Sequence, residues 1–233
     1  MLYSVSYCRK IFLNKSNMKQ RTRERLLSLF MAGIVSAITV APSKSFSAQS
    51  AEVEVFAWRL RAGVAIPTQK VFNNFGNDTT VASLFNTDVN YALKEWLRVG
   101  VLYEWHEHTI NFNGSKFGNL TINTFLMTVE FRVPRAQLDP HGITWVTPYA
   151  SIGAGANVHG FKEHREAGAN TASFPTTFAF RVATGVDIPL TDYLGFNTEI
   201  AWNRDSGASA FNGADVSFNA STLNILGGIR LRY

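Results

Sequence analysis

From residue 53 onward, apolar and polar positions alternate with a period of two, as in strands with two unlike faces. In the stretch 97–106, Leu97, Val99, Val101, Tyr103 and Trp105 fall on one face, and Arg98, Gly100, Leu102, Glu104 and His106 on the other. The last segment repeats this, with Leu223, Ile225, Gly227, Ile229, Leu231 and Tyr233 opposite Asn224, Leu226, Gly228, Arg230 and Arg232. The pattern predicts eight strands, at about 53–66, 85–94, 97–109, 120–133, 144–158, 174–188, 194–204 and 221–233. Each exceeds the ~5–6 residues usual in globular proteins. Such lengths suit tilted membrane-crossing strands, which need ~9–11 residues.

Every predicted strand has a frame free of charge over its central residues, exemplified by Phe56, Trp58, Leu60, Ala62 and Val64, or by Phe125, Met127, Val129 and Phe131. The opposite frames carry Arg59, Arg61, Asp88, Lys94, Arg98, Glu104, Glu130, Arg132, Arg181, Asp187, Glu199, Arg230 and Arg232. In a soluble sandwich or lipocalin the apolar face would point inward. Here the polar face also holds small residues such as Gly63, Gly100, Gly153, Gly155, Gly185 and Gly228, which fit a narrow, curved lumen. Aromatics near the strand ends (Trp58, Trp96, Trp105, Trp145, Tyr193, Trp202, Tyr233) mark an interfacial girdle. The expected fold is therefore all-β, an eight-stranded antiparallel transmembrane up-and-down barrel.

The connections alternate in length. Those at 67–84, 110–119, 159–173 and 205–220 are long and rich in Asn, Gly, Ser and Thr; those at 95–96, 134–143 and 189–193 are shorter. Outer-membrane barrels have this layout, with long loops outside and both termini on the periplasmic side.

Charge sharpens the picture. The chain of 233 residues carries +5, but its first 51 residues hold eight Lys and Arg and one acid, Glu24. The remainder has 14 basic and 16 acidic residues, so the basicity gives no support to nucleic-acid binding. Basic residues from Lys19 to Arg25 precede an apolar run, Leu26–Ala41, and then the small residues of 45–51. This is the pattern of a secretory signal peptide. The expected organisation is a leader over 1–50, with Met18 as the start and cleavage near 47–51, followed by a barrel over 51–233. Cys8, the one cysteine, falls in the leader, so disulfide and thiolate chemistry are not expected of the mature protein.

The stretches Thr147–Val158 (TPYASIGAGANV), Phe180–Trp202 (FRVATGVDIPLTDYLGFNTEIAW) and Gly227–Tyr233 (GGIRLRY) resemble the small eight-stranded bacterial outer-membrane barrels of the OmpA/OmpX and opacity-protein type. The resemblance covers most of 53–233 and speaks for fold more than function. It implies location in the outer membrane, contact with its lipid and lipopolysaccharide, and insertion by the barrel-assembly machinery. The terminal aromatic, here Tyr233 in place of the usual Phe, would be the assembly signal.

An eight-stranded lumen is just wide enough for side chains to fill. Inward Arg59, Arg61, Asp88, Arg98, Glu104, Glu130, Arg132, Arg181, Asp187, Glu199, Arg230 and Arg232 are expected to form a lumen charge network that plugs it. Counting Lys94, the inner face has a basic excess of three, so a narrow anion-leaning pore is the alternative. An OmpW-like small-solute channel is a further alternative, but the charged inner face does not favour its apolar lumen. His106 and His108 beside Glu104 and Glu107, and His159 and His164 beside Glu163 and Glu166, are metal candidates; polar rim residues are the favoured reading. His106, His108, Ser115 and Glu107 lie where a lipid A-modifying barrel would carry catalysis, but match no motif, so no enzyme activity is expected. No cofactor motif is present; the Gly153–Gly155 pair lies in a strand and opens no helix. Phe72, Phe75, Phe112, Phe117, Phe161 and Phe211 in the loops suit either a surface ligand or a cap folded back over the barrel.

Overall fold

The computed structural model describes residues 55–71, 77–112, 115–143, 145–164, 174–211 and 214–232. The expected leader, its cleavage region and Tyr233 lie outside them. The strands are β1 (Phe56–Pro67), β2 (Asn77–Thr79), β3 (Ala82–Lys94), β4 (Leu97–Phe112), β5 (Ser115–Arg132), β6 (Thr147–Glu163), β7 (Thr177–Pro189), β8 (Leu194–Arg204), β9 (Ser206–Phe211), β10 (Ala214–Asn219) and β11 (Thr222–Arg232). One helical turn, α1 (Arg135–Leu138), and a 3₁₀ turn at Asp139–His141 lie between β5 and β6. No helix among the described residues is long and apolar enough to cross a membrane.

Eight strands form a closed antiparallel wall in the order β1, β3, β4, β5, β6, β7, β8, β11, and β11 returns to β1. Closure leaves this eight-stranded wall without an open edge, the condition for a strand structure in lipid. The stagger can be followed residue by residue. Ala57 pairs with Asn90, then the row runs through Gly100, Thr128, Gly153, Arg181, Asn203 and Thr222 and returns to β1 at Pro67. The row comes back ten residues up the strand it left, which corresponds to a strand tilt of about 40°.

The charge-free frames face outward. Met127 is 76% exposed, Phe178 68% and Val101 58%, while Arg59, Arg61, Glu104 and Asp187 are no more than 1% exposed. On β4 the apolar outer column ends at Trp105, and Glu107 above it accepts from Asn119 Nδ2 at 2.6 Å and Thr121 Oγ1 at 3.2 Å. The lipid band thus ends near Trp105, and the upper parts of β4, β5 and β6 stand beyond it.

Three expectations are corrected here. The loop expected at 110–119 is a hairpin, because β4 continues to Phe112 and β5 begins at Ser115. Ladder pairing from Ile110–Gly118 to Phe112–Ser115 satisfies the backbone, so polar composition does not break the strands. The loop expected at 205–220 likewise holds the β9–β10 hairpin. Lys94, expected inside, is exposed: the β3–β4 register shifts between Ala92 and Lys94 and brings its Nζ 5.6 Å from the Trp96 ring centre.

Candidate functional site: the barrel lumen

Period-two geometry sends alternate residues of each strand into the lumen. Arg59 of β1 donates to both oxygens of Glu130, from Nη1 to Oε2 at 2.6 Å and from Nη2 to Oε1 at 3.0 Å, and to Asp187 Oδ2 at 3.2 Å. Asp187 also accepts from Arg132 and lies 3.0 Å from Arg230 Nη1. Two residues up β1, Arg61 pairs with Asp88 and, at 2.7 Å, with Glu199, which also accepts from Arg181 at 2.5 Å. Such contacts tie β1 to strands on the far side of the lumen. Low local dielectric strengthens them, and desolvation makes each depend on its partner.

Tyr149 of β6 links the two levels. Its hydroxyl donates to Glu199 Oε2 at 2.8 Å and accepts from Asn197 Nδ2 at 3.0 Å, while the Arg59 guanidinium lies 4.6 Å from its ring centre. Glu104 of β4 crosses to the opposite wall, where Asn224 Nδ2 donates to it at 2.8 Å and Asn203 Nδ2 also donates; Asn86 Nδ2 donates at 2.9 Å.

Above this level the polar groups change to imidazoles. His108 Nδ1 lies 2.9 Å from the Thr80 carbonyl, which can only accept, so this nitrogen donates. Its Nε2 is then the acceptor for His106 Nδ1 at 3.0 Å. His159 faces the Pro175 carbonyl at 2.9 Å and Asp205 Oδ2 at 2.7 Å, and Thr177 Oγ1 donates to Asp205 Oδ1 at 2.6 Å. Over this layer lies an apolar cap of Val71, Ile110, Leu120, Ile122, Phe174, Phe218 and Ala220, with Phe117 and Phe161 packed against it. Phe174 stands 5.3 Å from Phe218 and 5.5 Å from Phe161 between ring centres. Val71, Phe174 and Phe218 come from three different extracellular connections, so the loops themselves roof the lumen.

A closed eight-stranded barrel with a lipid-facing wall and a charged interior is now in view. The family model for the outer membrane protein β-barrel domain matches residues 36–231. The chain belongs to this family. It is accordingly a protein of the bacterial outer membrane, in contact with membrane lipid. Similar solved structures include the outer membrane protein OprG from Pseudomonas aeruginosa, 12% identical, with a TM-score of 0.56 over 76% of this chain and 95% of OprG. Neisserial surface protein A is 10% identical, with a TM-score of 0.51 over 77% of this chain and 97% of its own. At such identities the likeness is one of fold. No curated protein matches the sequence.

Within this family barrel, the sequence-predicted lumen residues divide in two. Arg59, Arg61, Asp88, Arg98, Glu104, Glu130, Arg132, Arg181, Asp187, Glu199 and Arg230 are all buried. Arg98 sits opposite Glu130 in the β4–β5 ladder. Arg232 is placed apart, its Nη2 donating to the Thr191 carbonyl at 2.7 Å in a periplasmic turn. With Lys94 exposed, Arg232 at this turn and Asp205 buried above, the basic excess of three is gone. Six buried arginines stand with six buried carboxylates among the described residues.

The residues considered for catalysis are not assembled. Glu107 is on the outer wall, bonded to Asn119 and Thr121, whereas His106 and His108 are inside. No three His, Asp or Glu converge as a metal-ligand set among the described residues. Glu166, Phe72 and Phe75 lie outside those residues, as do the side chains of Ser115, Glu163, Phe112 and Phe211; His164 is exposed.

Sequence reasoning passed over Tyr149, Asn86, Asn197, Asn203, Asn224 and the His159–Asp205 pair. Parity was the available signal. Continuing the inward frame of β8 from Glu199 through Asn203 reaches Asp205, and that of β6 from Tyr149 through Asn157 reaches His159.

Proposed function

We propose that this barrel is a closed, non-conducting outer-membrane scaffold that presents its extracellular hairpins and loops to a surface ligand. The observation that carries this reading is the double closure of the lumen. Paired arginines and carboxylates cross it at mid-height, and an apolar cap of loop residues covers it above. Planar-bilayer recording of refolded protein tests it: silence is expected, and stable openings of any selectivity overturn it. Balanced buried charge supports the plug over the anion-leaning pore.

The apolar cap favours a second reading, in which the upper lumen is the mouth of a small-solute channel of the OmpW-like kind. Uptake of a small apolar solute by vesicles carrying the protein would favour that reading over the scaffold. In the scaffold reading the chain has no enzymatic activity, which the separation of Glu107 from His106 and His108 supports; an altered lipid A mass spectrum on overexpression would overturn it. Export through the leader over 1–50, recognition of Tyr233 by the barrel-assembly machinery, and contact with lipopolysaccharide belong to the same proposal.

A further inference from the structure

Glu104 differs from the other lumen carboxylates in how it is compensated. Asp187, Glu130 and Glu199 each have arginine nitrogens within 3.2 Å. The cation beside Glu104 is Arg181, whose Nη2 is 3.8 Å from Oε2 and is bound to Glu199 at 2.5 Å. Three asparagine amides hold Glu104 in place of charge.

Two of those amides are satisfied on one side only. A carboxylate can only accept, so Nδ2 of Asn203 and Asn224 must face it and each Oδ1 must turn away. Oδ1 of Asn203 and Oδ1 of Asn224 are buried without a donor, as is Oγ1 of Thr222. These residues are 7%, 0% and 1% exposed. Asn203 and Thr222 are direct partners on β8 and β11, and Asn224 is the next inward residue on β11. Asn86 is the contrast: its Oδ1 accepts from Arg61 at 3.0 and 2.6 Å.

Unmet acceptor oxygens and an under-compensated carboxylate thus share one neighbourhood. Water would supply a partner for the oxygens but no charge; a cation, coordinated by them or donating to them, supplies both. Calcium takes 6–8 oxygens and favours direct carboxylate ligands. Here Glu104 Oε1 is already occupied by two amides, which argues for a single charge bound through neutral oxygens. We propose that Asn203 Oδ1, Asn224 Oδ1 and Thr222 Oγ1 bind a small monovalent cation, an alkali-metal ion or ammonium, with Glu104 as its counter-charge. The site goes beyond the closed-lumen reading and stands whether or not the lumen conducts.

Thermal unfolding of the refolded protein in vesicles tests the site. Sodium, potassium, rubidium and ammonium chloride are each compared with choline chloride at equal ionic strength. A saturable rise in midpoint is expected with at least one small cation and none with choline; the salt that acts identifies alkali metal or ammonium. The rise should vanish in Glu104→Gln and shrink in Thr222→Val, which keeps shape but loses the oxygen. Equal midpoints in all salts, or a cation effect undiminished in both variants, overturn the proposal. If a variant fails to fold, crystals of the wild-type protein grown with rubidium or thallium(I) decide. An anomalous peak beside Asn203 and Asn224 supports the site, and no peak there overturns it.

Discussion

Arg59 of β1 and Glu130 of β5 grip each other across the lumen through two parallel hydrogen bonds, at 2.6 and 3.0 Å. Both are almost fully buried, so neither charge has water to fall back on. Arg59→Met should destabilise the barrel by about 3–5 kcal/mol, since it strands carboxylates that were paired. Adding Glu130→Gln should cost less than the sum of the single changes, because the second substitution removes a charge the first left unpaired. Urea titration of vesicle-embedded protein, followed by the shift between folded and unfolded gel bands, gives all three values. Strict additivity would show that the pair is not coupled.

A second relationship sets the height of Tyr149. Gly185 is its partner in the β6–β7 ladder, and a Cβ on Gly185 would lie 2.4 Å from the Thr198 carbonyl oxygen, 2.5 Å from the tyrosine oxygen and 2.6 Å from Cζ. The ring occupies the space glycine leaves and so carries its hydroxyl to Glu199. Gly185→Ala should cost about 1–3 kcal/mol by displacing the ring and crowding the Thr198 carbonyl. Gly160→Ala on the neighbouring strand, where the nearest atom is 3.8 Å away, is the neutral control. Equal midpoints in denaturant for the two variants would refute the argument.

Most of the wall was legible in the sequence, because strand parity assigns a side to every residue once the frame is known. The inward run from Arg98 through Glu104 to His106 needed no structure. Heights were not legible. Which inward groups meet depends on the ten-residue stagger, which places Arg181 beside Asn203 and Asn203 beside Thr222. No local pattern encodes that number. Lys94 was misplaced because a bulge inverts parity beyond it, and composition gives no warning of one bulge. The pairing of Phe112 with Ser115 was hidden because Asn, Gly and Ser read as loop wherever they cluster, although the ladder continues to that pair.

The apolar cap makes a prediction about access. Asn157 is 2% exposed and lies inside β6, two residues below His159. In protein refolded from residues 51–233, which contains no cysteine, Asn157→Cys provides one reporter thiol. Its reaction with a water-soluble reagent should be slow, and Phe218→Ala should speed it by about tenfold or more, since losing only ~1.4 kcal/mol of local closure changes the open population by that factor. A rate unchanged by Phe218→Ala would mean that the cap does not limit entry.

Finally, the outer face should tolerate charge according to height. Met127 is 76% exposed and lies in the row between Val101 and Ala154, well inside the apolar band. Thr109 is on the same wall above Trp105, in the row that contains exposed Lys162. Met127→Arg should therefore cost about 2–4 kcal/mol in a bilayer, while Thr109→Arg costs about 0–1 kcal/mol. The difference should shrink for Met127→Arg in detergent micelles, where water reaches the wall more easily. Folding equilibria in vesicles and in micelles measure both, and similar costs at the two positions would place the lipid boundary above Thr109 rather than near Trp105.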